Sequence, residues 1–206
     1  MKQAKNAEEY IALQRQAIAS NPDCGNSHYN LAVALMGQQK YDEAEIELKE
    51  AISCSPNLAE AYVQLGGIHL QRGDLEGCLN YNKQAVNARA GFAEGWGNIG
   101  FCQLQLGNLE EAIRALEKAV RWNIKFLQAR ATLANAYLMK GMVDESIEAS
   151  LKVLAQEPNF AIAHNNLAIA YMEKGEFSLA VEHCDKARAM GYDVAPQIVA
   201  ELENYR

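Results

Sequence analysis

Threonine occurs once in the 206 residues, and Val, Ile and Thr together number 22 against 33 alanines. A chain so poor in β-branched residues and so rich in alanine favours helix and argues against a β-sandwich or barrel. Positive charge is also scarce: 19 Lys and Arg stand against 26 Asp and Glu, a net charge of −7. Nucleic acid or an anionic membrane would need a local basic patch that overcomes this background. The best such run is Arg114, Lys118, Arg121 and Lys125, with Glu110 and Glu117 four residues ahead of Arg114 and Arg121. That is the spacing of ion pairs along a solvated helix face. No run approaches the roughly 20 apolar residues that cross a bilayer, and the opening MKQAKNAEEY has no apolar core of a secretory signal. The five cysteines, Cys24, Cys54, Cys78, Cys102 and Cys184, include no C-x-x-C. Odd in number and widely spaced, they suit buried thiols in a reducing compartment better than disulfides or zinc. What remains is a folded helical protein, expected to be cytoplasmic, to bind no nucleic acid and to insert into no membrane.

Proline is rare too, and its placement is informative. Pro22, Pro56 and Pro158 are separated by 34 and by 102 residues, three times 34. Aligned on that period from Gly25, the chain gives five units, 25–58, 59–92, 93–126, 127–160 and 161–194. Position 7 of each unit is Leu31, Leu65, Ile99, Leu133 and Leu167, and position 8 is Ala32, Gly66, Gly100, Ala134 and Ala168. Position 15 is Gln39, Gly73, Gly107, Gly141 and Gly175; position 20 is Ala44, Cys78, Ala112, Ser146 and Ala180; position 27 is Ala51, Ala85, Ala119, Val153 and Ala187. Positions 4, 7, 8 and 11 form one helical stripe, and 17, 20, 24, 27 and 28 form a second. The glycine column between them supplies the left-handed residue that ends the first helix, and small residues at 8, 20 and 27 allow close approach. Each unit is therefore a helical hairpin, and the fold class is all-α, a solenoid of stacked antiparallel helix pairs with about twelve helices.

The segments YVQLGGIHLQRGDLEGCLNYNKQAV, WGNIGFCQLQLGNLEEAIRALEKAV and HNNLAIAYMEKGEFSLAVEHCDKA resemble the tetratricopeptide repeat: aromatic-x-x-Leu-Gly/Ala, then Gly-x-aromatic, then spaced alanines. The resemblance spans residues 25–194 and implies a right-handed superhelix whose first helices line a concave groove. At the ends, residues 1–24 hold a half-unit, a second helix without its first, and residues 195–206 hold a capping helix opened by Pro196. The whole reads as a single solenoid.

Chemistry is sparse. His28 and His164 at position 4, and His69 at position 11, stand where the family has large aromatics, so flat rings filling gaps between helices are expected. No histidine has an i,i+4 partner that reads as a metal site, and there is no P-loop, nucleophile elbow or dinucleotide fingerprint. Cys78 and Cys184 fall on core positions and are expected to be inert thiols. No cofactor, metal or catalytic residue is assigned, and an enzyme is not expected.

The face opposite the first stripe is almost uncharged. Position 12 is Met36, Leu70, Leu104, Leu138 and Met172, a row that either packs on the next first helix or faces a groove. Tyr29, Val63 and Asn165 at position 5, and Val33, Phe101, Asn135 and Ile169 at position 9, vary from unit to unit as contact residues would. Position 6 is Asn30, Gln64, Asn98, Thr132 and Asn166. Carboxamides donate and accept, so this row can pair with a peptide backbone or bond across neighbouring helices. Some family members hold extended peptides with such a row. The lysines and arginines with which others capture chaperone tails are missing at positions 2, 5 and 6, while Glu60, Glu94 and Glu173 favour a basic segment.

The function expected is thus a scaffold or adaptor binding a peptide segment of a partner protein. Its candidate groove residues are Asn30, Gln64, Asn98, Asn166, Tyr29, Val63, Phe101, Asn135 and Asn165. The alternative is a self-associating scaffold joined through Tyr10, Ile11, Leu13 and Ile18 of the N-terminal half-unit, whose apolar stripe has no first helix to cover it.

Overall fold

The computed structural model describes residues 6–206. Among them every regular element is a helix. The chain divides into two compact units, one ending at Cys102 and the other running from Gln103 to Arg206.

The first unit opens with α1 (Ala7–Ser20), followed by the hairpins α2 (Gly25–Gly37) with α3 (Tyr41–Cys54) and α4 (Ala59–Gln71) with α5 (Leu75–Ala88). Helix α6 (Ala93–Gln105) leads into the second unit, which holds α7 (Leu109–Trp122), α8 (Leu127–Met139), α9 (Val143–Leu154), α10 (Ala161–Glu173) and α11 (Phe177–Ala189). The short α12 (Pro196–Leu202) and a 3-10 turn at Glu203–Tyr205 finish the chain. Helices α2, α4, α6, α8 and α10 begin every 34 residues, and so do α3, α5, α7, α9 and α11.

The hairpin turns follow from one backbone position. Gly73, Gly107, Gly141 and Gly175 have φ between 75° and 79°, and Gln39 adopts φ 61° at the equivalent place. This left-handed residue stops the first helix and turns the chain back. Side chains cap a few starts: Asn6 accepts from the Glu9 amide and Asp74 from the Gly77 amide, both at 2.8 Å.

In the first unit, Leu31, Leu35, Leu48, Leu65 and Ile68 form one core with Ala32, Ala44 and Ala51 at the close approaches. Ile11 is buried in this core and Ile18 packs against it. In the second unit, Ala168, Ala180, Cys184 and Ala187 pack with Val194 and Leu202, so α12 covers the last hairpin. Each fully buried leucine contributes on the order of 2 kcal/mol relative to exposure.

Cation–carboxylate pairs link successive hairpins inside each unit. Arg72 reaches Asp42 at 2.7 Å, Lys140 reaches Glu110 at 3.3 Å and Lys174 reaches Asp144 at 2.9 Å, always from position 14 of one repeat to position 18 of the preceding one. The basic run pairs differently from its spacing. Arg114 bonds Glu111 at 2.6 Å, Glu110 faces Lys140, and Glu117 accepts from the Tyr137 hydroxyl at 3.0 Å. Spacing along α7 counts one helix only, whereas α8 and the turn after it bring Tyr137 and Lys140 against the same carboxylates. No helix among the described residues is long and apolar enough to cross a membrane.

Candidate functional site

Position 12 belongs mainly to the core. Leu104 and Leu138 are buried, Met36 and Met172 pack against core clusters, and Leu70 is the exposed member. The contact candidates are therefore positions 5, 6 and 9.

In the first unit these positions build a cavity of about 530 Å³ lined by Asn6, Ala7, Tyr10, Tyr29, Asn30, Val33 and Ala34. Helix α1 supplies one wall and α2 the other. Tyr10 is 37% and Val33 42% exposed, while Tyr29 packs on the core behind them. Tyr10 and Tyr29, assigned by sequence to two separate surfaces, thus share one site. The remaining self-association candidates are mostly occupied: Ile11 and Ile18 serve the core and Leu13 is half-buried. On the neighbouring first helix, Val63 packs beside Ala59, Ala85 and Phe92.

The carboxamide row divides into two kinds. Asn30 and Gln64 are half-buried and make no side-chain hydrogen bond among the described residues. Asn98 donates to Asn82 Oδ1 at 3.0 Å, and Asn166, only 2% exposed, donates to the Ala131 carbonyl at 2.9 Å. Thr132 bonds back to Gln128 in its own helix at 2.9 Å. Asn165 is buried and Asn135 half-buried. Asn98 and Asn166 therefore tie helices together, and Asn30 and Gln64 keep amides that are unengaged among the described residues. Phe101, one turn beyond Asn98, is 37% exposed. Glu60 is held by Arg89 at 2.6 Å, which weakens it as a feature for a basic segment.

The second unit has a cavity of another kind, about 300 Å³ and lined by Glu117, Arg121, Arg130, Tyr137, Glu145, Glu148 and Lys152 among others. Burial and the hydrogen bond to Glu117 push the Tyr137 phenol up to about 12, so it stays protonated. Lys152 pairs with Glu148. This is a mixed-charge crevice in which Tyr137 and Glu117, and Lys152 and Glu148, pair with one another, while Arg130 donates to the Ile124 carbonyl at 2.9 Å and its Nε, buried, has no partner among the described residues. Among the described residues no cluster of three or more His, Cys, Asp or Glu could hold a metal ion.

Sequence reasoning missed three polar pairs between helices. His28 Nδ1 meets Glu47 at 2.6 Å, His164 Nδ1 meets His183 Nδ1 at 2.8 Å, and Cys102 Sγ meets Cys78 Sγ at 3.1 Å. Both histidine pairs join position 4 to position 23, so the column at position 23 was a readable signal.

A family model described as the tetratricopeptide repeat matches residues 11–59 and 131–193, and a second model of that repeat matches residues 93–125. No curated protein matches the chain. Among solved structures, it is similar to YrrB, a TPR protein with an unusual peptide-binding site, at 21% identity and a TM-score of 0.77 over 94% of this chain and 99% of YrrB. MamA matches at 24% identity and a TM-score of 0.71 over 82% of this chain and 92% of MamA. PilF of Pseudomonas aeruginosa matches at 15% identity and a TM-score of 0.82 over 98% of this chain and 90% of PilF. At these identities the likeness shows the fold, an α-solenoid of helix pairs. With the first model alone matching more than half of its residues, the chain belongs to the tetratricopeptide repeat family.

Proposed function

We propose that this protein is a non-enzymatic interaction scaffold whose first unit holds an extended segment of a partner protein against α2 and α4. The observation that carries this reading is a pair of amides with no side-chain hydrogen bond among the described residues, Asn30, which lines the cavity with Tyr10, Tyr29 and Val33, and Gln64 at the equivalent place on the next first helix.

The chemistry is complementary to a peptide. Each carboxamide can donate to a backbone carbonyl and accept from a backbone N–H without regard to side chains. At a spacing of about 10 Å between consecutive first helices and with an extended chain rising about 3.3 Å per residue, the two amides would meet backbone groups about three residues apart. One apolar side chain of the segment would enter the cavity, where Tyr10 and Val33 have surface to bury. The peptide-binding site of YrrB, a relative by fold, supports this use of the architecture.

Selection from a random peptide library tests the proposal. Selected peptides should lose at least tenfold in affinity for the Asn30→Ala/Gln64→Ala variant, with its helical circular dichroism unchanged. Equal affinity of the variant would contradict it. Asn98→Ala and Asn166→Ala are unsuitable, since each removes a helix–helix bond.

A further inference from the structure

Cys78 on α5 and Cys102 on α6 meet in the interior of the first unit. Cys102 donates to Cys78 Sγ at 3.1 Å, and the thiols are 1% and 0% exposed. Their surroundings are polar for a core. Asn82 is fully buried at a position where the equivalent residues are Leu48, Leu116, Ser150 and Cys184. Its amide donates to the Cys78 carbonyl at 2.8 Å and approaches Cys78 Sγ at 3.5 Å, while its carbonyl accepts from Asn98. Gly66, lacking a side chain, leaves the space that the Asn82 amide fills.

We propose that Cys78 and Cys102 form a dithiol that hydrogen peroxide oxidises to an intramolecular disulfide joining α5 to α6. The two hydrogen bonds aimed at Cys78 Sγ favour its thiolate and hold its pKa below the usual thiol value, while the same contact and burial raise Cys102. Cys78 is therefore the nucleophile. Its thiolate attacks one peroxide oxygen, the O–O bond breaks, hydroxide leaves, and Cys78 becomes a sulfenic acid. The Cys102 sulfur then attacks Cys78 Sγ and displaces hydroxide, which takes up the Cys102 proton as water. Two thiols and one peroxide give one disulfide and two waters. Burial selects the oxidant: a neutral molecule close to water in size can enter by small local openings, whereas a bulky disulfide such as oxidised glutathione needs the helices to separate. The link would anchor α6, which carries Asn98 and Phe101.

The test treats the full chain with hydrogen peroxide, blocks remaining thiols under denaturing conditions and maps all five cysteines by mass spectrometry. The expected result is a Cys78–Cys102 linked peptide that disappears on reduction. In Cys102→Ala, peroxide treatment of the folded chain followed by unfolding in the presence of dimedone should leave the sulfenic-acid adduct at Cys78. The proposal is overturned if Cys78 and Cys102 both stay alkylatable while Cys24 and Cys54 oxidise, or if either is driven to sulfinic acid without linkage.

Discussion

His164 Nδ1 and His183 Nδ1 face one another at 2.8 Å, and His164 Nε2 lies 3.0 Å from the Pro158 carbonyl. A carbonyl only accepts, so His164 keeps its proton on Nε2 and its Nδ1 accepts from His183. Burial first, then the charges of His164 and Lys186, lower the His183 pKa to about 4, with Glu182 opposing. At the matching place in the first unit, His28 Nε2 bonds the Pro22 carbonyl at 2.9 Å, but Glu47 faces its Nδ1 at 2.6 Å. Burial would lower that pKa, yet the Glu47 and Pro22 hydrogen bonds and the Glu47 charge outweigh it and raise the value. The same pairing of repeat positions 4 and 23 thus lowers the pKa of His183 in one unit and raises that of His28 in the other.

Acid should therefore act unequally on the two units. His183 is depressed in the folded state, so its contribution is complete above the unfolded value near 6.5 and is lost as pH falls toward about 4. The loss is on the order of 2 kcal/mol after allowance for partial exposure. His28 has the opposite sign: its contribution is complete below the unfolded value and is lost as pH rises through its raised folded value. Hydrogen exchange at pH 7 and pH 5, corrected for intrinsic rates, should show residues 103–206 losing protection while residues around His28 keep theirs. His183→Gln, which retains a donor without titrating, should abolish the difference.

Gln39 adopts the left-handed conformation that glycine fills in the other four units. Gln39→Gly should stabilise the protein by about 0.5–1 kcal/mol, the relief of left-handed strain less the entropy of the glycine. Gly107→Ala, at φ 79°, should destabilise it by about 1 kcal/mol. Urea midpoints measure both, and a loss of stability in Gln39→Gly would contradict the assignment.

Gly66 and Gly67 are neighbours with opposite expectations. A Cβ on Gly66 would collide with the Asn82 amide, while a Cβ on Gly67 meets nothing within 4 Å. Gly66→Ala should cost about 1–3 kcal/mol by overpacking. Gly67→Ala should be neutral or add up to about 1 kcal/mol through helix propensity. The same midpoint measurement separates them.

The period of 34 was legible because it is written in size classes: Leu31, Leu65 and Leu167 at one column, Ala32 and Gly66 at the next, glycines at the turn. It specifies which residues are equivalent, and the helix starts recur accordingly. It does not specify which columns touch. That Asn98 meets Asn82, that Cys102 meets Cys78 and that Asn166 reaches the Ala131 carbonyl depends on the depth at which one helix sits against another. For the same reason Ile11 and Ile18 read as an uncovered stripe, although α1 lays them on the core of α2 and α3. The site was half legible: Asn30, Gln64 and Tyr29 could be named from their columns, but the wall that Tyr10 adds lies outside the five full repeats.

In the proposed binding mode the first unit reads a peptide backbone through two amides. The most direct measurement is a crystal structure of the protein with a library-selected peptide. The expected result is an extended peptide across α2 and α4, with Asn30 and Gln64 each hydrogen-bonded to its main chain and one apolar side chain between Tyr10, Tyr29 and Val33. A peptide seated on the second helices, or one whose main chain touches neither amide, would contradict it.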